Sequence, residues 1–163
     1  NNFELMAMEI EKNKINLAAI YRPLNNIFLN KTMESIRKKY ICKNQIKKGI
    51  SGTRKVVKFF KEGHSIALMI DQRVSEGILS KFFDRPASTT TIPAQLVKKY
   101  DCEIVPIYIE RKDNIHFKMI IQKPISFKKD DTIDEITEQL NFWLESMIKK
   151  NPSQWIWSHD RWK

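Results

Sequence analysis

Charged groups at the ends of apolar runs are the first places in this sequence where chemistry could reside. The run from Ile66 to Ile70 stops abruptly at Asp71-Gln72-Arg73. A short apolar run bounded by turn signals predicts a buried strand. The carboxyl end of such a strand is where α/β proteins gather binding and reacting groups. A second run, Ile15 to Tyr21, ends in the same way on Arg22-Pro23. Beyond Arg73 come a loop with Gly77, the pair Phe82-Phe83, and Ser88-Thr89-Thr90-Thr91 ahead of Pro93. Hydroxyl residues followed by proline mark a helix start, whose free amides can be capped or can hold an anion. The same stretch reads equally well as an ordinary strand–loop–helix connection.

The remaining reactive residue types are scattered. His64 lies beside a turn, His116 lies in an expected hairpin, and His159 is flanked by Asp160 and Arg161. Cys42 and Cys102 stand far apart, outside any CxxC or CxxH pattern, so neither a zinc site nor a disulfide framework is legible. No GxSxG elbow, phosphate loop or dinucleotide fingerprint occurs. The net charge of +10 suits an anionic partner such as nucleic acid, anionic lipid or an acidic protein, and a solubilising lysine excess gives the same number. With 42% hydrophobic and 29% charged residues, the 163-residue chain can build a real core and is expected to form one domain. No apolar run approaches membrane-spanning length.

The elements that must position these groups follow from pattern. Phe3 to Glu11 favours helix, and Ile15 to Tyr21 is a strand. A helix begins at Leu24-Asn25-Asn26 and carries Phe28, Leu29, Met33, Ile36 and Tyr40 at helical spacing, which predicts a buried apolar face. Arg37 falls in its last turn, where the helix dipole favours a cation. A further helix, capped by Ser51 or Thr53, ends at Gly63. After the helix at Pro93, Glu103 to Glu110 and His116 to Ile121 form a hairpin, with Pro106 marking an edge or bulge. Thr132 to Lys149 is the clearest helix, stopped by Asn151-Pro152. Alternating strands and helices imply an α/β sandwich with a largely parallel sheet and a late hairpin. Residues alone support a basic α/β domain with a ligand at the strand ends.

Several blocks, in order and at their spacings, resemble one family. They are NNFELMAM at the start, YRPLNN from Tyr21, Ile36-Arg37, Gly63 through Asp71-Gln72-Arg73, FFDRPASTTTIPAQL, and the closing NPSQWIWSHDRWK. Together they resemble the C-terminal two-thirds of the late lauroyl/myristoyl acyltransferases of lipid A biosynthesis. The resemblance implies a glycerolphosphate-acyltransferase-like α/β sandwich and a His-x-x-x-x-Glu/Asp motif. Glu4 matches the acidic end of that motif, and the matching His precedes Asn1. It also implies that Arg22 and Asn25 line the cleft, and that Arg37, Asp71 and Arg73 belong to the substrate-binding region. On this reading Arg37 contacts a phosphate, and Asp71 orients Arg37 or Arg73, or holds a loop, rather than acting as a base.

By the same resemblance, the donor is an acyl carrier protein thioester and the acceptor is a phosphorylated, already acylated glucosamine disaccharide. No cofactor, metal or nucleic acid is implied. The expected location is the cytoplasmic face of the inner membrane of a Gram-negative cell, with a membrane-anchoring helix upstream. Phe82, Phe83 and Ile92 are candidates to line an acyl-chain groove. Three positions depart from the family pattern: Asp84 where Gly is frequent, Ile92 where Gly usually precedes Pro93, and Asp160 where a basic residue often follows His159. The competing reading is a non-catalytic basic module for nucleic acid or anionic lipid, with Trp155, Trp157 and Trp162 as stacking platforms.

Overall fold

Leu17–Tyr21 (β1) is the central strand of a three-stranded parallel sheet. It pairs with Asn44–Lys47 (β2) on one side and Ser65–Ala67 (β3) on the other. Parallel neighbours need crossover connections. These are supplied by the helices Ile27–Tyr40 (α2), between β1 and β2, and Ile50–Lys61 (α3), between β2 and β3. Phe3–Lys12 (α1) precedes the sheet. The computed structural model describes residues 3–162. These fall into two compact units, the first ending at Met69 and the second beginning at Ile70.

The core of the first unit is built from Ile10, Leu17, Ala18, Cys42, Ile46 and Val56, all buried. α3 carries a glycine in its first turn because a Cβ at Gly52 would stand 2.0 Å from the Lys47 carbonyl oxygen. That approach lets the helix sit directly against the end of β2. Asn26 caps α2, its side-chain oxygen accepting from the amides of Phe28 and Leu29. The apolar face expected to bury α2 is not buried: none of its residues is.

The second unit opens with an antiparallel hairpin, Ile78–Phe82 (β4) and Arg85–Thr89 (β5). Its two-residue turn, Phe83-Asp84, holds both residues at positive φ, 49° and 59°. Two left-handed residues give the turn whose twist matches paired strands. The helix Ile92–Tyr100 (α4) follows, with Pro93 in its first turn. The expected late hairpin is Ile107–Asp113 (β6) against His116–Ile121 (β7), so its first strand starts just after Pro106. Ile133–Lys150 (α5) begins with a reciprocal cap between Thr132 and Glu135. One apolar cluster packs Leu144 and Ile148 of α5 on Phe82 and Ala87, and another packs Ile136 and Leu140 on Ala94 and Val97 of α4.

The α/β class and the late hairpin agree with the sequence reading, and the parallel pairing is confined to β1, β2 and β3. The strand expected over 66–70 is shorter: β3 ends at Ala67, and Leu68, Met69 and Ile70 lead unpaired to Asp71. The helix caps also differ. α3 starts after Gly49, and neither it nor α4 has a side-chain cap, so the hydroxyls at Ser51, Thr53 and Thr91 do not serve as caps.

Candidate functional site

Glu4 lies in the first turn of α1 and Arg37 in the last turn of α2. The Arg37 Nε–H donates to Glu4 Oε1 at 3.0 Å. The Arg37 side chain is 13% exposed and that of Glu4 is 37% exposed, so the pair is partly shielded from water. The guanidinium also lies over the Tyr21 ring, 5.4 Å from its centroid. Its Nη1 is buried and, among the described residues, has no hydrogen-bond partner. A planar cation held by one edge and one face thus keeps a donor unspent.

Tyr21, the last residue of β1, is itself fixed. Its hydroxyl donates to Glu34 Oε1 at 2.5 Å, and Asn30 Nδ2 donates to the same oxygen at 2.7 Å. Burial, then the bond to Glu34, pushes the Tyr21 hydroxyl up to about 12. The bonds from Tyr21 and Asn30 hold the Glu34 carboxyl below its usual range. Asn30 Oδ1 accepts the Leu24 amide at 2.9 Å. One chain of polar contacts therefore runs from Glu4 through Arg37, Tyr21, Glu34 and Asn30 into the YRPLNN block. Arg22 and Asn25, in that block, are exposed. Among the described residues their side chains make no hydrogen bond or ion pair, which leaves both free for a ligand.

In the second unit, Asp71 is partly buried, and desolvation raises its carboxyl above the usual value, with nearby His159 and Arg161 opposing the rise. Asp71 Oδ1 has no hydrogen-bond partner among the described residues. Arg73 is exposed, and its backbone N–H donates to His159 Nε2 at 3.1 Å. That bond makes Nε2 the acceptor nitrogen of His159 in its neutral form. The carboxylate that pairs with Arg37 is that of Glu4. Within the first unit the structure brings Glu4 to Arg37, and within the second it brings Asp71 and Arg73 to the closing tail.

Sequence reasoning missed Arg161, which is completely buried. Its Nη1 donates to the Ser88 carbonyl, and its Nη2 donates to Thr89 Oγ1 at 2.9 Å. The guanidinium covers the Phe82 ring at 5.3 Å. Trp162 Nε1 donates to the Phe82 carbonyl at 3.0 Å, and the two rings stack. The tail thus straps the β4–β5 hairpin. The closing WSHDRW motif was the available signal, read in sequence only as part of a resemblance.

Two further expectations change. Phe82 is fully buried in a cluster with Leu144 and Ile148, so it is core and not the wall of an open groove. Trp155 and Trp162 pack on that same cluster, which removes them as platforms for stacking bases. Phe83 is half-buried against the cluster, and Ile92 is partly buried at the start of α4. Cys42 is a buried thiol pushed up to about 12, mainly by burial, so it is no nucleophile.

Among the described residues, no three His, Cys, Asp or Glu side chains gather as a metal site would need. No described helix is long and apolar enough to cross a membrane. None of the curated proteins compared with this chain matches it. A family profile, that of the bacterial lipid A biosynthesis acyltransferases, does match, and it does so over residues 1–163. With the match spanning the sequence, this chain belongs to the bacterial lipid A biosynthesis acyltransferase family.

Proposed function

We infer that this protein transfers a fatty acyl chain from an acyl carrier protein thioester to a hydroxyl of a phosphorylated glucosamine lipid. The acceptor is a lipid A precursor, and the work is done at the cytoplasmic face of a Gram-negative inner membrane. Family membership supports an acyl transfer in lipid A biosynthesis; donor, acceptor and location are the finer parts of this reading. The elements described above would form part of a glycerolphosphate-acyltransferase-like sandwich.

The observation that carries the reading is the Glu4–Arg37 pair. In a His-x-x-x-x-Glu arrangement, the imidazole takes the proton of the acceptor hydroxyl as its oxygen attacks the thioester carbonyl. The C–S bond then breaks and the proton leaves with the thiol. Glu4 fixes the imidazole tautomer and stabilises the imidazolium that forms. Arg37 occupies Oε1 of Glu4 and leaves Oε2 for that task. The spare Nη1 of Arg37 suits a phosphate oxygen or the oxyanion of the tetrahedral intermediate.

The test uses the intact protein with an acyl-carrier-protein thioester and a bisphosphorylated, acylated glucosamine disaccharide. Mass spectrometry should find the disaccharide carrying one additional ester-linked acyl chain, and Glu4→Ala should abolish that product. A folded intact protein that yields no such product, or yields it equally with Glu4→Ala, overturns the reading.

A further inference from the structure

The first three residues of α2 are apolar and stand in solvent. Ile27 is 74% exposed, Phe28 87% and Leu29 59%. Leu24, just ahead of it, is 40% exposed. This tip is not a frayed end. Asn26 accepts the amides of Phe28 and Leu29, and Asn30 accepts that of Leu24. The helix is pinned at the point where it is most apolar, an arrangement that costs solvation unless something covers it.

Charge says what kind of surface covers it. Residues 1–69 hold 14 Lys and Arg against 5 Asp and Glu, a net +9, whereas residues 70–163 hold 15 against 14, a net +1. Nearly all of the excess therefore lies in the part of the chain that carries the tip. Lys31 stands two residues after Leu29, Lys38 and Lys39 lie in the last turn of the same helix, and all three are exposed. A second copy of this chain would set +9 against +9, which disfavours a self-association through this face. An apolar wedge beside lysines fits an anionic bilayer: the side chains enter the boundary of headgroups and acyl chains while the cations meet lipid phosphates.

We propose that the α2 tip, Leu24 with Ile27, Phe28 and Leu29, inserts into the surface of an anionic lipid bilayer and seats the first unit there. The proposal rests on the reading that the acceptor is a membrane lipid, and it names the element that meets the membrane. Arg22 and Asn25, exposed in the loop that leads into the tip, would then lie at the depth of lipid headgroups.

The test is co-sedimentation of the purified chain with vesicles of phosphatidylcholine alone and of phosphatidylcholine mixed with phosphatidylglycerol. Binding should be confined largely to the anionic vesicles and should survive in part at high salt, because the apolar component is not screened. The double substitution Ile27→Ser, Phe28→Ser should weaken binding by about tenfold or more, since it removes most of the apolar area available for insertion. Both residues are exposed, so the substituted protein should keep its circular dichroism and melting temperature. Phe142→Ser, at a 71%-exposed position on α5, should leave binding unchanged. Unchanged binding by the double variant, binding lost completely in salt, or a dimer that the double variant dissolves in the absence of lipid would each overturn the proposal. Acyl transfer to detergent-dispersed acceptor is read separately. Vesicle binding through the tip by an intact protein that transfers no acyl chain sinks the enzyme reading and leaves this one standing.

Discussion

Glu4 and Arg37 meet at 3.0 Å although 33 positions separate them in the chain. The contact joins the first turn of α1 to the last turn of α2, so a carboxylate at a helix N-terminus and a cation at a helix C-terminus each sit where a helix dipole favours them. Neither position is chosen by propensity alone. The pairing gives the Glu4 carboxylate a fixed bearing, which the proposed role of orienting an imidazole would require.

Replacing Glu4 should therefore separate geometry from charge. In the intact protein, Glu4→Gln keeps an oxygen to accept from Arg37 but cannot stabilise an imidazolium. Its turnover should fall by about two to four orders of magnitude, with the melting temperature nearly unchanged. Steady-state kinetics beside a thermal melt will decide; turnover within a few-fold of the original would remove Glu4 from the mechanism.

Arg37→Lys should fare badly. A lysine can keep the charge near Glu4 but cannot also lie flat on Tyr21 and present a second donor. The expected result is a loss of about tenfold or more in kcat/KM. If lysine supports normal kinetics, Arg37 acts only as a generic cation.

Tyr21 offers a titration with a definite sign. Its hydroxyl is raised from 10.0 to about 12, so the folded state holds the proton more tightly than the unfolded state. The resulting stabilisation is complete below pH 10 and disappears as the pH climbs to about 12. Tyrosinate absorbance should show a late-titrating component that vanishes in Tyr21→Phe, beside the burial-raised Tyr108, and the first unit should lose stability over that window. A normal titration for Tyr21 would show that it is neither buried nor bonded to Glu34 in solution as described.

Arg161→Lys should destabilise the second unit. The substitution leaves the Ser88 carbonyl and Thr89 Oγ1 with one short cation in place of a two-pronged donor. The expected cost is about 2 kcal/mol, or about 6 °C in melting temperature. A melt within a degree of the original would mean that the buried guanidinium is replaceable.

Asp84→Gly should stabilise slightly. Asp84 sits at φ 59° in the β4–β5 turn, a conformation that glycine adopts without strain. The departure from the family pattern seen in sequence thus falls on a position with a backbone reason for glycine. The exposed contact to Lys81 at 2.9 Å is lost in exchange. A rise of about 2 °C is expected by differential scanning calorimetry, and a fall would assign the turn's stability to the ion pair.

Elements with strong local signals were legible. α5 announces itself through Thr132 and Glu135 at capping-box spacing and a stripe of apolar residues, and α2 through the cap at Asn26. β2 was hidden because Ile46 is its lone apolar residue, and its place is set by pairing with β1. The β4–β5 hairpin was hidden for a different reason. Leu79 faces solvent at 77% exposure, Ser80 is buried, and Pro86 interrupts β5, which inverts the usual alternation. The apolar face of α2 misled because helical spacing reports only that a stripe exists, not what covers it. The site was legible as a set of residue types, yet the pairing of Glu4 with Arg37 and the burial of Arg161 depend on contacts between distant segments.

The strap made by the tail bears on how this protein is made. The bond from Trp162 to Phe82 spans 80 positions, and that from Arg73 to His159 spans 86. On the ribosome the β4–β5 hairpin therefore emerges long before the residues that close over it, with Phe82 lacking its cover of Trp155, Arg161 and Trp162. The first unit has no such wait, because all of its strands have left the exit tunnel while the second unit is still being synthesised. A ribosome that stalls or terminates a few codons short of Trp162 would release a chain with an ordered beginning and an open, adhesive hairpin. Such a product is a natural substrate for chaperones and proteases.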